Sequence, residues 1–429
     1  MNSYTSILLL RTTGLFVLLY GCIVFLNTLN FSKRDLGWCL LLIFFSSGLG
    51  WLWGSFSVDL IQSESSVFFS IFGSVLNPFA TGLMLLIFSI FLKCESRYDK
   101  VRLFICIALL GLSHTYDLTI ILFATALFSL YKYFVEKDFN LLTVWLRLFI
   151  YSLPVIFYQA VVLIHNAPLG VWTYFQTSVP GPKFVHFCLT YGLYLTIIIL
   201  WISYRKREFK NNVFLVTWII AGMLLLFNPF SVRFQQKFSL GLFIPIVILT
   251  YYGLKQWHII SINYIGKFFN RVCIIALGII FISTNIIIIQ NNYSYASSNQ
   301  ELWFLRKKEV LAIDQINQLN PDCSGVIMAS YSISNRIPGL TGCSVYGGHY
   351  DQTINFNAKQ LIVKKMLSSQ GKISDPLKHF VAQENISYIV VDEEVRSWGG
   401  LDTTNRYYLK LVYDNSDIQI YQVETSLLN

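Results

Sequence analysis

Charged side chains are scarce in this sequence of 429 residues: only 13% are Asp, Glu, Lys or Arg, whereas 55% are hydrophobic. Soluble domains carry about twice that share of charge, so the composition excludes an ordinary soluble protein of this length. The net charge of +9 does not indicate nucleic-acid binding, because the cations lie in short loops between apolar runs. We therefore expect a multi-pass membrane protein with no nucleic-acid partner.

Several catalytic signatures are missing as well. The sequence contains no Gly-rich phosphate loop, no zinc-ligand spacing, no nucleophile elbow and no dinucleotide fingerprint. It also lacks internal repeats and low-complexity linkers. These absences disfavour a cytoplasmic enzyme that uses nucleotide sugars, and any catalytic site has to be found from scattered polar residues.

Cysteine is sparse outside the apolar runs. Only Cys323 and Cys343 lie in the polar C-terminal part, while the other six lie in or beside apolar runs, where a thiol serves as small apolar filler. The two polar-tail cysteines pair if that tail faces an oxidising compartment and stay reduced if it does not. The sequence leaves both states open.

Long apolar runs are abundant and predict an α-helical polytopic membrane bundle of about ten transmembrane segments in residues 1–290. The runs are too long and too uniformly apolar for the alternating pattern of a membrane barrel. A small extracytoplasmic α/β domain is expected in residues 291–429. The predicted membrane segments are 12–27, 36–53, 79–92, 103–113, 117–131, 148–164, 186–203, 213–227, 238–254 and 272–290.

Cations concentrate in alternate loops, and the positive-inside rule assigns these loops to the cytoplasm. The outer loops 55–78, 165–185 and 228–237, the turn at His114 and the whole C-terminal domain are then expected outside. The same assignment places Met1 outside, which is unusual with Arg11 so near the start. Either the first segment inserts as a reverse anchor, or further helices precede it in a longer chain.

One short polar interruption, residues 113–117, separates two apolar runs that are each too short to cross a bilayer with margin. The pattern predicts a tight helical hairpin with His114, Tyr116 and Asp117 at its tip. Ionisable groups at such a position suggest a functional site. Two readings stay open: a plain turn whose polar groups meet water, or part of a polar cavity lined by neighbouring loops.

Three acids, Asp59, Glu64 and Asp117, lie nearest the expected outer interface. A carboxylate there can act as general base on an acceptor hydroxyl, or hold a divalent metal ion such as Mg²⁺ or Mn²⁺ against a phosphate leaving group. His114 can hydrogen-bond the same group or act as a ligand. Each acid alone is as readily structural, and only their shared side of the membrane favours a catalytic set.

Arg233, Gln236 and Lys237 follow the eighth apolar run in a loop where positive-inside statistics disfavour cations. A lipid phosphate at headgroup height would account for them, because guanidinium and ammonium donors bind phosphate oxygens strongly. The alternative is that the two cations reach ordinary lipid headgroups.

The C-terminal domain has its own pattern, with helices predicted at 301–319, 356–367 and 376–384 and strands at 325–329, 387–391, 408–413 and 418–423. The last two strands read as a hairpin around a polar turn. A Gly-rich stretch at 335–353 presents Arg336, His349 and Tyr350, either as part of an acceptor site or as a simple folding turn.

Together these features resemble the GT-C superfamily of multi-pass glycosyltransferases. The resemblance is carried by the loop Asp59–Phe79, the turn His114–Asp117, Arg233, and the stretch Asn335–Thr353. That family usually has an acidic catalytic residue in the loop after its first membrane helix, whereas the corresponding loop here holds only Asp35. The departure fits a chain that lacks an N-terminal part of the family's fold.

The resemblance implies a bacterial enzyme of the cytoplasmic membrane that moves a hexose or pentose from a polyprenyl-phosphate donor to a lipid, glycan or protein acceptor at the outer face. Membrane lipids would be its other partners, and a divalent metal its only expected cofactor. Two alternatives stay open: a transporter or flippase of lipid-linked sugars, and a non-catalytic membrane scaffold.

Overall fold

A computed structural model describes the chain apart from short stretches at 1–2, 94–95, 167–169, 171–180, 206–211, 230–234, 265–266, 298–304, 351, 369–374 and 429. It divides into two compact units. The first consists of Met1–His165 and Gln176–Asn291, and the second of Asn166–Phe175 and Asn292–Asn429.

The first unit is helical, as the apolar runs predict, and belongs to a polytopic membrane protein. Seven stretches are long and apolar enough to cross a membrane in the part of the chain that is described. The remaining three predicted segments form helices of 17, 17 and 14 residues, so the count of ten spans is not confirmed. The long helices are Ser3–Thr28, Lys33–Phe45, Asn77–Lys93, Arg97–Ser113, Asp117–Tyr131, Asn140–His165, Phe184–Tyr204, Val213–Leu226, Phe243–Tyr264 and Lys267–Ser297.

The second helix ends earlier than the predicted segment 36–53. It stops at Phe45, and the following backbone is held by other helices: the Ser47 N–H donates to the Phe281 carbonyl at 2.8 Å, and the Leu49 N–H to the Thr190 carbonyl at 2.9 Å. Serine and glycine at 46–50 favour such irregular backbone, because small residues tolerate it and polar partners satisfy its hydrogen bonds. The apolar count alone could not reveal this break.

Two helices, Ser3–Thr28 and Asn77–Lys93, run parallel in close contact. A Cβ on Gly14 would lie 3.2 Å from the Phe79 nitrogen, and a Cβ on Gly21 would lie 2.5 Å from the Gly82 carbonyl oxygen. Contacts of this kind need small residues, since any side chain at the crossing separates the backbones. The glycines therefore fix the register of the pair.

Aromatic packing shows how the helix ends are arranged. The Phe88 and Phe214 ring centroids lie 5.1 Å apart, those of Phe128 and Phe214 5.3 Å, and those of Phe25 and Phe88 6.4 Å. Three helices therefore bring their C-terminal parts to the N-terminal part of the helix Val213–Leu226.

It follows that the helix starts at Asn77 and Asp117 lie at the opposite end of the first unit. We call this the Asp117 end. The other end, which carries Lys93 and the start of the helix at Val213, we call the Lys93 end.

The second unit contains a four-stranded sheet in the order β1-β2-β4-β3, with β1 at Val326–Met328, β2 at Ile386–Val391, β3 at Leu409–Asp414 and β4 at Gln419–Val423. β1 and β2 are parallel, while β4 is antiparallel to both of its neighbours. The predicted hairpin of the last two strands is confirmed.

Helices cover the sheet at Lys307–Leu319, Phe356–Leu367 and Pro376–Gln383, close to their predicted bounds except that the first starts later. Its predicted beginning at Glu301 lies outside the described residues. A disulfide joins Cys323 to Cys343, which resolves the question that the sequence left open. A buried Arg406 also donates to both carboxylate oxygens of Asp375, at 3.0 and 3.1 Å.

Candidate functional site

The turn between the helices Arg97–Ser113 and Asp117–Tyr131 carries the first part of the site. The predicted hairpin is confirmed, with His114 at the end of one helix and Asp117 at the start of the next. Only 6% of His114 and none of Asp117 is exposed. The turn is therefore no simple solvated connection, because two ionisable side chains are enclosed by protein.

A hydrogen-bond chain links the three polar residues of this turn. Nδ1 of His114 lies 2.6 Å from Oδ2 of Asp117, and the Tyr116 hydroxyl contacts Nε2 of the same imidazole. A carboxylate accepts from Nδ1–H, which leaves Nε2 as the acceptor for the tyrosine hydroxyl. Asp117 thereby fixes the tautomer and orientation of the imidazole.

A second pair comes from two other loops. Glu64 lies between the short helices Val58–Ile61 and Val67–Gly73, and Lys237 lies in the short 3₁₀ helix Gln235–Ser239. The Lys237 ammonium forms a salt bridge with Oε1 of Glu64, although 173 residues separate them. Glu64 is buried and Lys237 is 23% exposed, so the pair is partly open.

The two groups lie together at the Asp117 end. Both Glu64 and Lys237 interact electrostatically with the Asp117 carboxylate, and Glu64 also acts on Tyr116. Oδ1 of Asp117 is buried and has no hydrogen-bond partner among the described residues. One oxygen of this carboxylate is thus left for a substrate group.

Asp59 belongs to a different set of contacts. Ser57 donates a hydrogen bond to it, and the Ser57 hydroxyl lies 3.0 Å from that of Thr190. Burial raises the pKa of Asp59 above its ordinary value. No hydrogen bond or ion pair of the described residues joins Asp59 to Glu64 or Asp117, so it fastens its loop to the helix Phe184–Tyr204.

The predicted phosphate-binding loop is only partly described. Arg233 lies outside the described residues, while Gln236 and Lys237 lie in the turn Gln235–Ser239. Gln236 accepts a hydrogen bond from Ser239 through its backbone carbonyl at 2.9 Å. Of the two cations that the sequence assigned to a lipid phosphate, the described one is paired with a carboxylate.

The remaining predicted residues belong to the second unit. Arg336 donates to Glu309 at 3.2 Å and helps to hold its own domain together. The His349 and Tyr350 rings lie 4.6 Å apart on a turn, with Tyr350 45% exposed. Their expected part in acceptor binding stays a prediction.

The described residues do not fit a divalent metal ion. No group of three or more His, Cys, Asp or Glu side chains in the described ranges is arranged to hold one. At the Asp117 end, the Lys237 ammonium already supplies positive charge beside the two carboxylates. The expected Mg²⁺ or Mn²⁺ therefore has no donor set in this part of the chain.

One cavity of the described part of the chain lies away from these residues. A cavity of about 510 Å³ lies at the Lys93 end, lined by Asn30, Lys93, Asn212 and Tyr252 among others. It includes none of the predicted site residues. The residues at the Asp117 end are identified by their burial and charge rather than by an enclosed volume.

The sequence predicts which acids and which histidine belong to the site, but it does not predict the ion pair between Glu64 and Lys237. Thr190 and Ser57, which hold Asp59, carried no recognisable signal, because hydroxyl residues are ordinary in and beside membrane helices. Arg11 lies within an apolar run, and a cation at such a position is itself a sequence signal of a polar site.

Comparison with known proteins gives distant likenesses only. No family model matches the chain, and no curated protein does. It is similar to the Archaeoglobus fulgidus oligosaccharyltransferase solved with a tethered acceptor peptide that contains an NVT sequon, at 13% identity and a TM-score of 0.47 over 97% of this chain. For the same enzyme in complex with Zn and sulfate, the identity is 14% and the TM-score is 0.46 over 96% of this chain.

This chain covers about three fifths of the length of that enzyme, 62% and 60% in the two structures. Identity and TM-score are too low for the likeness to support a statement about activity. Any function has to be argued from the residues at the Asp117 end.

Proposed function

We propose that this protein is a membrane glycosyltransferase that moves a sugar from a polyprenyl-phosphate donor to an acceptor hydroxyl. The observation that carries the proposal is the meeting of a buried Asp117–His114–Tyr116 chain with the Glu64–Lys237 pair at one end of an apolar helix bundle. Burial of ionisable groups at a membrane end is costly, and such groups are retained mainly for substrate binding or proton transfer.

The acid–imidazole chain supplies the base. Nε2 of His114 takes the proton of the acceptor hydroxyl, which replaces the Tyr116 hydroxyl there, while Asp117 stabilises the imidazolium that forms. The acceptor oxygen attacks the anomeric carbon, and the bond from that carbon to the phosphate oxygen breaks. The lipid phosphate leaves with the bonding electrons.

Lys237 meets the charge of the leaving phosphate. Its ammonium is 23% exposed, so it can turn from Glu64 towards a phosphate oxygen. Glu64 then serves to position this cation before the donor arrives. Arg233 belongs to the same loop by sequence and is proposed as the second phosphate ligand.

The Asp117 end is proposed to face the cell exterior. Cationic loops at the Lys93 end favour the cytoplasm for that side. The Cys323–Cys343 disulfide in the second unit supports an oxidising compartment for the C-terminal domain. A bacterial cytoplasmic membrane with an outward-facing domain satisfies both observations.

The test is sugar transfer by the purified protein. Polyprenyl-phosphate hexoses are incubated with membrane extract as acceptor, and released polyprenyl phosphate and glycosylated product are measured by mass spectrometry. We expect His114→Gln and Asp117→Asn each to lower the rate at least about 100-fold, the usual contribution of a positioned base. Samples with and without a chelator determine whether a metal ion takes part.

A matched control comes from the Lys93 end, where Glu136 is exposed and pairs with Lys132. Glu136→Gln should keep the full rate, whereas Glu64→Gln should lower it. Full activity in Asp117→Asn, with the protein folded and monodisperse, would refute the assigned base. Movement of lipid-linked sugar across vesicles without any transfer would instead identify a flippase.

A further inference from the structure

Arg11 is a cation within an apolar membrane helix, and it forms no ion pair with any of the described residues. Its Nε is buried and has no hydrogen-bond partner among the described residues. The neighbouring side chains Leu8 and Leu9 are 66% and 56% exposed, so this part of the helix contacts lipid. A guanidinium at such a place is costly unless an anion accompanies it.

The position of Arg11 on its helix directs it towards the helix Asn77–Lys93. Arg11 precedes Gly14, Leu18 and Gly21 at helical spacing, and that stripe forms the packed face. Gly14 meets the backbone of Phe79. Arg11 lies about one helical turn before Gly14. Because the two helices are parallel, this position is beside the start of the helix Asn77–Lys93.

That start offers one further side-chain donor without an acceptor. The amide Nδ2 of Asn77 is buried and unpartnered in the described part of the chain, and only 2% of the residue is exposed. The Asn77 N–H donates to the Ser74 hydroxyl at 3.4 Å, Pro78 has no N–H, and the Ala80 N–H donates to the Leu76 carbonyl at 2.9 Å. The 17-residue helix beginning here therefore contributes its positive end rather than a row of open donors.

We propose that Arg11, Asn77 and this helix start bind the phosphate group of a membrane lipid at the Asp117 end. The two unpartnered side-chain groups, Arg11 Nε and Asn77 Nδ2, are both donors, and an anion with several acceptor oxygens satisfies them together. Entry from the bilayer follows from the exposed leucines beside Arg11. The site uses residues other than the proposed Lys237 contact, and it holds whether or not the protein transfers sugar.

The test is lipid-dependent stability of the purified, delipidated protein. Phosphatidylglycerol, polyprenyl phosphate, the corresponding polyprenol and inorganic phosphate are each added, and the unfolding midpoint is measured. We expect the two phosphate lipids to raise the midpoint by about 3 °C, as a ligand well above its Kd does, and the polyprenol to leave it unchanged. A shift by polyprenyl phosphate alone would restrict the bound lipid to that class.

Arg11→Gln should abolish the shift, and Arg102→Gln should keep it, since Arg102 is an exposed cation at the Lys93 end. If Arg11→Gln does not fold, Asn77→Leu serves, with retained phospholipid counted by native mass spectrometry. An undiminished shift or count in the folded variant overturns the site. An equal shift from inorganic phosphate overturns the membrane lipid as its occupant.

Discussion

At the scale of single residues, the site depends on where charge is enclosed. Asp117 and His114 are buried together and hold each other in place, whereas Asp59 is buried with hydroxyl partners. Two buried aspartates in different segments therefore have different kinds of partner. The sequence alone places both acids at the same face of the membrane. Only their surroundings in the folded chain distinguish them.

Asp59 provides the pH-dependent prediction. Burial raises its pKa above the unfolded value of 3.8, so the folded protein binds a proton more tightly than the unfolded chain does. The resulting stability is fully present below the unfolded pKa and is lost as pH rises through the folded pKa. Asp59→Asn replaces the neutral acid by a neutral amide and should remove this decline.

The measurement is the unfolding midpoint from about pH 4 to 8, which spans the range for a buried carboxyl. Wild type should lose stability with rising pH, and the difference from Asp59→Asn should grow accordingly. Asp138→Asn, a change in a connecting turn at the Lys93 end, is the control. A midpoint difference that does not vary with pH would show that Asp59 is charged in the folded protein.

The sequence predicted the individual residues of the cluster better than their partners. Asp117 and His114 are three positions apart in one turn, so their contact follows from local geometry. Glu64 and Lys237 are joined only by the fold, and no local pattern predicts a contact across 173 residues. The expected contact of Lys237 with a lipid phosphate stays a prediction, and its partner among the described residues is the Glu64 carboxylate.

At the scale of elements, the parallel pair Ser3–Thr28 and Asn77–Lys93 is the contact on which the Asp117 end depends. A Cβ on Gly82 would lie 2.5 Å from the Val17 carbonyl oxygen, which is backbone and cannot move aside alone. The two helices pack more closely here than side chains permit.

Gly82→Ala should therefore separate the helices and destabilise the protein by about 1–3 kcal/mol, the usual cost of overpacking. Detergent-resistant thermal stability followed by size-exclusion chromatography measures the loss. Gly278→Ala, in the helix Lys267–Ser297, is the control because no atom lies within 4 Å of its added Cβ. Equal stability of the two variants would contradict the close crossing.

Element prediction succeeded where periodicity was uninterrupted. The helix Phe356–Leu367 and the hairpin β3–β4 were placed nearly as observed, because their patterns run from cap to turn without competing signals. The sequence predicts one uninterrupted helix at 36–53. The observed break depends on hydrogen bonds to the carbonyl groups of Phe281 and Thr190, which lie in helices far away in the sequence. The hydropathy of the segment does not indicate which distant residues will bind its backbone.

At the scale of the whole molecule, composition alone established a polytopic helical protein with a separate α/β unit. The number of spans does not follow from composition. Some apolar helices that pack among other helices are shorter than a bilayer requires. Sidedness rests on the distribution of cations and on one disulfide. The proposed transfer at the outer face requires that the Asp117 end be exposed there.

Cysteine labelling in intact cells tests that requirement most directly. In a variant that retains only Cys323 and Cys343, single cysteines replace Thr115 or Phe72 at the Asp117 end, and Tyr98 or Glu136 at the Lys93 end. A membrane-impermeant maleimide should label the first two from outside and the last two only after lysis. Labelling of Tyr98→Cys and Glu136→Cys from outside, with Thr115→Cys and Phe72→Cys protected, would contradict the account.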